Sequence, residues 1–390
     1  MKSEWKKVCA GDFIEFNPRL SIKKGALATK VAMDKLKPFT KRIPESEKAE
    51  FSGGAKFCNG DTIMARITPC LENGKTAYVD ILAENEIAFG STEFIVLRAR
   101  DDISDSQFVY YLAISPYFRN VAIKSMIGSS GRQRVQQGVL NDLILTVPSL
   151  DIQKKIGAYL ARIDKKIAIN EQINDNLFNQ MQALYNSWFV DFKPFGGTKP
   201  PSWEQSNIYS LANIIYGAPF SSKRFNSEGN GKPIIRIRDL KDQQFATYTT
   251  EVHQKGYLLQ RGDIVVGMDG EFRPYIWGND EAWLNQRVCV FKNKRPKGKA
   301  FLYLTIKPLL YAIEQTQIAT TVIHIGKKDY DAFEVLLPDV STLDAFDDLT
   351  TPMILQIVSN CIENKRLAAM RNALLPKLMS GELDVSNIDP

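Results

Sequence analysis

The side chains that most often perform catalysis are few and scattered in this sequence. The two histidines, His253 and His324, are too far apart to form a local metal-binding pair, and no CxxC or HExxH motif is present. The glycine-rich stretch at 128–132 lacks the Gly-Lys-Ser/Thr ending of a phosphate-binding loop. No GxGxxG motif opens a strand–helix unit. These absences argue against metal, nucleotide or dinucleotide chemistry in this chain.

Two further kinds of chemistry have equally little support. An amino-methyltransferase should carry an Asn/Asp-Pro-Pro-aromatic tetrapeptide, and the nearest stretch, at 17–20, lacks both the second proline and the aromatic ring. Carboxylates are numerous, but no pair stands out as a general acid and base. We therefore expect no catalytic residue, no metal ligand and no cofactor site in this chain.

Length and composition bound the remaining possibilities. At about 150 residues per domain, 390 residues predict two or three domains. Fifty basic and 44 acidic residues give a net charge of +6, which permits a nucleic-acid partner without requiring one. The five cysteines are scattered and odd in number, which fits a reducing cytoplasm. The sequence has no run of about 18 apolar residues, so we expect no membrane helix, and the first residues do not resemble a secretory signal.

The chain contains a weak internal repeat. Trp5 and Trp203 open its two copies, and the related tetrapeptides GDTI at 60–63 and GDIV at 262–265 follow. The strand-like DLILTVP and AFEVLLP end at Pro148 and Pro338. Each of them is followed by a long helical stretch, so the repeat unit is a globular segment plus a helix.

The helical stretches are the clearest secondary structure. From residue 151 onward, apolar residues recur mostly every three or four positions, as on one face of a helix, and a similar pattern runs from 354 to 378. An offset of 194 superposes the two patterns and places Asn170 on Asn364, a polar residue on each apolar seam. Such a residue can specify register and partner choice. Helices of about 40 residues, or about 60 Å, need a partner for their apolar face. We expect each to pack antiparallel on the other as a coiled coil; the alternative is that each packs only on its own globular half.

The segments before the helices consist of short apolar runs broken by Gly, Pro, Asn and Asp, which are typical of strands and turns. Runs at 94–99, 143–147, 234–239, 263–268 and 288–291 predict strands, and 108–123 and 302–316 predict proline-interrupted helices. The fold class is therefore α+β, with two mixed, mostly β globular domains and two long helices. Antiparallel helices would relate the halves by a pseudo-two-fold axis. The predicted divisions are 1–148, 149–195, 196–338 and 339–390.

Two further stretches, SWFVDFKPF at 187–195 and LLPKLMSGEL at 374–383, are the most specific. Together with the duplicated plan, they make the whole chain resemble the specificity subunit of a type I restriction–modification system. The resemblance implies that each globular half is a target-recognition domain reading one half of a split, asymmetric DNA sequence. It also implies that the helices separate the halves and dock two methyltransferase subunits. The chain itself would be non-catalytic, while adenosylmethionine, ATP and magnesium would belong to partner subunits, among them restriction or translocase subunits.

Reading DNA requires hydrogen-bonding groups at base edges and cations at phosphates. In the first half the densest candidate is the polar loop at 129–134, because arginine suits guanine and glutamine suits adenine. The matching place in the second half is 320–328. The weaker candidates form three groups. One group follows the two Gly-Asp strands, the second alternates along the strand predicted at 234–239, and the third lies at 286–287. The full set of candidate DNA-binding residues is Arg66, Lys75, Ser129, Ser130, Arg132, Gln133, Arg134, Arg236, Arg238, Arg273, Tyr275, Gln286, Arg287, Thr320, Thr321, His324, Lys327 and Lys328.

The ends of the long helices carry clusters of aromatic and leucine residues. The resemblance suggests that part of this surface contacts methyltransferase subunits, although such clusters are also typical of a core. The candidate partner-binding residues are Trp188, Phe189, Phe192, Leu374, Leu375 and Leu378. Pro376 is expected to kink the last helix or weaken its hydrogen-bond ladder. Two other functions stay open: an enzyme with degenerate motifs, and a coiled-coil scaffold that binds only proteins.

Overall fold

The computed structural model describes residues 5–316 and 324–385. The chain forms two compact units: the first comprises 1–168 and 366–390, and the second 169–365. The division falls within both long helices, so each helix contributes residues to each unit.

Among the described residues, the first unit contains ten short strands, four short α-helices, the beginning of one long helix and the end of another. The strands are β1 Lys6–Cys9, β2 Ile14–Phe16, β3 Leu27–Val31, β4 Glu47–Glu50, β5 Lys56–Phe57, β6 Thr62–Ala65, β7 Thr76–Tyr78, β8 Ala88–Gly90, β9 Phe94–Ala99 and β10 Ile144–Val147. The helices are α1 Ala10–Phe13, α2 Ser106–Ile114, α3 Pro116–Lys124, α4 Gln137–Asn141 and the long α5 Leu150–Tyr185.

The second unit repeats this plan. Its strands are β11 Glu204–Asn207, β12 Ala212–Tyr216, β13 Phe225–Asn226, β14 Lys232–Ile235, β15 Tyr248–Thr249, β16 Ile264–Gly267, β17 Pro274–Ile276, β18 Trp283–Leu284, β19 Val288–Asn293 and β20 Glu334–Leu337. Its helices are α6 Lys299–Thr316, α7 Lys327–Asp331 and the long α8 Val340–Met379.

The two units share the topology of two sheets and the parallel pair of a third. A two-stranded sheet pairs β1 with β10 in the first unit and β11 with β20 in the second. A four-stranded sheet has the order β2-β9-β6-β7 in the first and β12-β19-β16-β17 in the second. Another four-stranded sheet contains a parallel pair, β3 with β8 or β14 with β18. The weak sequence repeat therefore corresponds to a repeat of the fold.

The repeated Gly-Asp motif closes a turn in front of the central strand of each unit. Asp61 accepts the Cys58 amide at 2.8 Å and two hydrogen bonds from Arg98, both at 2.7 Å. Asp263 accepts the Gln260 amide at 2.8 Å and the Lys292 ammonium at 2.9 Å. Both aspartates are almost fully buried, so the motif is structural: it anchors a turn and pairs with a cation on the neighbouring strand.

The two long helices pack against each other, and their contacts run antiparallel. In the first unit Arg371 donates to Asp164 at 2.5 Å. In the second, the Asn170 amide donates to Asn364 at 2.8 Å and the Asn360 amide donates to Asn174 at 2.8 Å. Higher numbers on α5 meet lower numbers on α8, which confirms the predicted antiparallel pairing. The two asparagines at equivalent repeat positions bind each other on the seam.

Two local predictions are wrong. The stretch 234–239 is not one strand: β14 ends at Ile235 and a 3-10 turn covers Ile237–Asp239. The turn forms because Asp239 accepts the Arg236 amide at 3.0 Å, a local bond that competes with sheet pairing. The stretch 302–316 is not interrupted, because Pro308 lies inside the continuous α6. The interruption predicted in 108–123 is confirmed, since α2 ends at Ile114 and Pro116 begins α3.

Within the residues that the structure covers, no helix combines the length and the apolar character needed to span a membrane.

Candidate nucleic-acid interface

The loop at 129–134 lies in a hairpin whose return arm is held by backbone hydrogen bonds. Ile127 and Arg134 exchange amide–carbonyl bonds of 3.0 and 2.9 Å. On the other side, Val135 donates to the Arg66 carbonyl at 2.8 Å and Thr68 donates to the Gln133 carbonyl at 3.0 Å. The return arm of the hairpin is thus hydrogen-bonded to the segment that follows β6.

The tip of this hairpin is open to solvent. Ser129, Ser130 and Arg132 are exposed, and Gln133 is half-buried. Gly131 has a φ of +76°, a conformation that side-chain-bearing residues rarely adopt, so glycine permits the tight turn. Two hydroxyls and a guanidinium are therefore exposed at the tip, as a base- or phosphate-contacting loop requires.

At the base of the hairpin, Arg134 and Glu93 form a multidentate ion pair. Arg134 Nε lies 3.0 Å from each Glu93 oxygen, and its Nη2 lies 2.7 Å from Oε1. The hydrogen bond from Arg134 lowers the pKa of Glu93, so this carboxylate is charged at neutral pH. Arg66 Nε lies 4.0 Å from the same carboxylate. Sequence reasoning selected both arginines but missed Glu93, since nothing in the sequence connects residues 93 and 134.

The second unit builds an equivalent frame with different charges. In the first unit, the Val135 amide donates to the Arg66 carbonyl, and the Arg66 amide donates to the Glu93 carbonyl. In the second unit, the Ile325 amide donates to the Met268 carbonyl, and the Met268 amide donates to the Arg287 carbonyl, each at 2.9 Å. His324 thus takes the place of Arg134, and Arg287 takes the place of Glu93.

A carboxylate again organises the cluster. His324 Nδ1 lies 2.6 Å from Asp269 Oδ1, and Arg287 Nη1 lies 3.7 Å from the same oxygen. Thr320 and Thr321, also predicted to bind DNA, lie outside the described residues. Asp269 was missed by sequence reasoning, because it is only one of 44 acidic residues.

The other candidates are less available. Lys75 donates to the Met33 carbonyl at 2.9 Å, and Arg273 uses both terminal nitrogens on Glu314. Arg236 and Arg238 do not alternate along a strand, since both lie at the turn beside Asp239. Tyr275 is half-buried, and burial raises its pKa.

Three further candidates for DNA binding lie on the exposed surface. Gln286 is exposed beside Arg287, and Lys328 is exposed on α7. Lys327 is exposed as well, but it pairs with Asp331 at 2.8 Å.

Three of the candidate partner-binding residues lie in the cores, and three lie at their edges. Phe189 is 5% exposed in the second unit, where the half-buried Trp188 and Phe192 pack against the same core. Leu375 and Leu378 are 4% and 2% exposed in the first unit, with the half-buried Leu374 packed against them. The burial favours the core interpretation for Phe189, Leu375 and Leu378.

Comparison with known proteins identifies the fold. The family model of the type I restriction modification DNA specificity domain matches the chain twice, over residues 2–179 and 200–363. The chain belongs to this family. It is therefore a DNA-specificity component of a type I restriction–modification system, which acts with other subunits, and it is not a catalytic subunit.

Individual relatives agree with this assignment. The chain is 24% identical to the specificity subunit of the type I restriction enzyme HindI from Haemophilus influenzae, covering 83% of this chain and 86% of that protein. It is 31% identical to the EcoBI specificity subunit from Escherichia coli over 48% of this chain and 41% of that protein. The fold is similar to the crystal structure of the type I system S subunit from M. genitalium, with a TM-score of 0.51, 16% identity and 96% coverage of each chain.

Proposed function

We propose that each unit reads one half of a split, asymmetric DNA target and that the paired helices set the number of unread base pairs between the halves. The observation that carries this proposal is the duplicated backbone hydrogen-bond frame with dissimilar side chains. Equivalent backbone positions hold Glu93 and Arg134 in one unit but Arg287 and His324 in the other. Different hydrogen-bonding groups at the same place favour different half-sites.

The catalytic chemistry belongs to partner subunits in this proposal. Two methyltransferase subunits, one for each half, would bind adenosylmethionine and modify adenine. Restriction or translocase subunits would use ATP and magnesium. Because three of the six candidate partner-binding residues are buried and three are half-buried, exposed residues of the long helices are better candidates for that contact. Arg162 and Lys165 on α5 are two such residues.

A map of methylated adenines in cells with and without this chain tests the proposal. We expect a two-part motif that is methylated only when the chain is present together with its methyltransferase. Methylation that is independent of the chain, or a motif with a single uninterrupted part, contradicts the proposal.

Two assays on the purified chain separate the alternatives. An enzyme would bind adenosylmethionine or cut DNA with magnesium, and we expect neither activity. A scaffold that binds only proteins would leave DNA unprotected even with methyltransferase present, whereas we expect a protected site.

A further inference from the structure

Arg134 is held in an orientation that leaves one edge of its guanidinium free. Glu93 occupies the edge formed by Nε and Nη2. Within the described residues, Nη1 donates no hydrogen bond to the protein, and the side chain is 43% exposed. The edge formed by Nη1 and Nη2 therefore points away from its carboxylate partner and is open to a ligand.

The backbone that carries Arg134 is also fixed. Its amide and carbonyl both pair with Ile127, and the residues on either side pair with the segment after β6. A guanidinium with a fixed backbone and a bound carboxylate loses little rotamer freedom when it binds a ligand, so its geometry is set before binding.

In the second unit, Arg287 is also exposed and also lies beside a carboxylate. Its side chain is 54% exposed, and Nη1 lies 3.7 Å from Asp269 Oδ1 and 3.1 Å from His324 Nδ1. His324 Nδ1 lies 2.6 Å from the same Asp269 oxygen, so the carboxylate and the imidazole together hold one side of the guanidinium. Nε and Nη2 of Arg287 have no partner among the described residues.

Two other arginines in carboxylate pairs differ in this respect. Arg273 uses both Nη1 and Nη2 on Glu314, so its terminal edge is occupied. Arg98 is 25% exposed and pairs with the 1%-exposed Asp61, which places it in the turn described above. Arg134 and Arg287 combine a free edge with a place in the backbone frame that both units share.

We propose that Arg134 and Arg287 each read a guanine, one in each half of the target, with Glu93 and Asp269 as positioning residues. This rests on the proposed function. Guanine presents O6 and N7 in the major groove at the spacing of two guanidinium donors, and no other base offers that pair of acceptors. A carboxylate on the opposite edge orients the donors without competing for the base.

The test is a methylation map of the assembled system with Arg134→Ala, Arg134→Lys or Arg287→Ala. We expect Arg134→Ala to relax one G·C position in one half-site by about 10-fold or more, the size of a lost bidentate contact. Arg134→Lys should relax the same position, since it keeps the charge but loses the paired donors. Arg287→Ala should relax a position in the other half-site.

Positioning is tested separately with Glu93→Gln. It should relax the same G·C position as Arg134→Ala, by a smaller factor. Lys30→Ala is the matched control, because it breaks an exposed 2.8 Å ion pair with Glu47 in the same unit. The DNA motif that is methylated in the presence of Lys30→Ala should be unchanged.

The two levels of failure are distinguishable. If the wild-type chain yields no split motif, the proposed function fails. If it yields one and Arg134→Ala changes no base preference, or weakens methylation equally at all sequences, the guanine-reading role alone is overturned. Recognition of the other half-site in each variant reports that the protein is folded.

Discussion

At the scale of single residues, each unit partly buries a lysine beside aromatic rings. Lys41 Nζ lies 5.0–5.5 Å from the ring centres of Tyr78, Tyr110 and Tyr111. Lys365 donates to the Gln243 carbonyl at 3.1 Å and lies 5.7 Å from the centre of the Trp277 ring. Burial lowers the pKa of each lysine to about 8, so each charge is retained at neutral pH at a cost in stability.

The lowered pKa of Lys41 predicts a pH-dependent stability. The folded chain releases this proton near pH 8, whereas the unfolded chain holds it to about 10.5. The unfolded state therefore binds more protons in that window, and the free energy of unfolding rises with pH. Relative to Lys41→Met, the wild type should gain about 2–3 kcal/mol between pH 8 and 10.5.

Denaturant unfolding of both proteins across this range measures the difference. Lys30→Met, at an exposed site, is the control and should track the wild type. A constant difference between wild type and Lys41→Met from pH 7 to 11 would contradict the prediction.

The charged residues of the candidate site could be predicted only in part from the sequence. Arg134, Arg287 and His324 were selected by type and by their place before a strand. Their carboxylate partners were not, because an ion pair between residues 41 positions apart depends on how the hairpin joins the sheet. Arg236 was assigned to a strand, and the neighbouring Asp239 turned the backbone instead.

At the scale of elements, the seam between α5 and α8 is marked by buried amides. Asn170 has no exposed surface and donates to Asn364 at 2.8 Å and to Glu363 at 2.7 Å. Asn360 is 3% exposed and donates to Asn174. Paired amides in an apolar seam favour one register, since any slip leaves polar groups without partners.

We expect Asn170→Leu to lower the free energy of unfolding by about 1–3 kcal/mol, because it removes two partly buried hydrogen bonds. The double variant Asn170→Leu, Asn364→Leu should recover part of that loss but weaken the register. Asn176→Leu, at an exposed position of α5, is the matched control and should change little.

A native cysteine offers a register reporter for the same series. Asn174 Nδ2 lies 3.6 Å from Cys361 Sγ, so Asn174→Cys should form a disulfide with Cys361 only in the native register. Cross-linking should fall in the double variant. Equal cross-linking in both backgrounds would show that the asparagine pair does not specify register.

At the scale of the whole molecule, both long helices contribute residues to both units, so their length should enter the spacing of the DNA target. Inserting four helical residues after Ala168 and four before Arg366 lengthens each helix by about 6 Å. With base pairs about 3.4 Å apart, the unread spacer should grow by one or two base pairs while both half-sites stay the same.

Methylation mapping of the insertion variant measures the spacer directly. Four residues inserted into the exposed segment at 196–199 are the control and should leave the motif unchanged. An altered half-site, or an unaltered spacer in a methylating system, would contradict the role of the helices in spacing.

The sequence by itself determined the repeat, the two long helices and the polar position on their shared seam. These features follow from the helical period of the apolar residues and from the constant offset between the two copies. Both are kept even where the residues of the two copies differ. It also carried enough family-specific pattern to indicate a non-catalytic DNA-specificity chain.

Only the tertiary structure decided which charged groups meet. The frame that brings Glu93 to Arg134 and Asp269 to Arg287 arises from hydrogen bonds between distant segments, and no local rule encodes that pairing. Likewise, Phe189, Leu375 and Leu378 at the helix ends are buried in the cores, because burial depends on what packs against a face and not on the face alone.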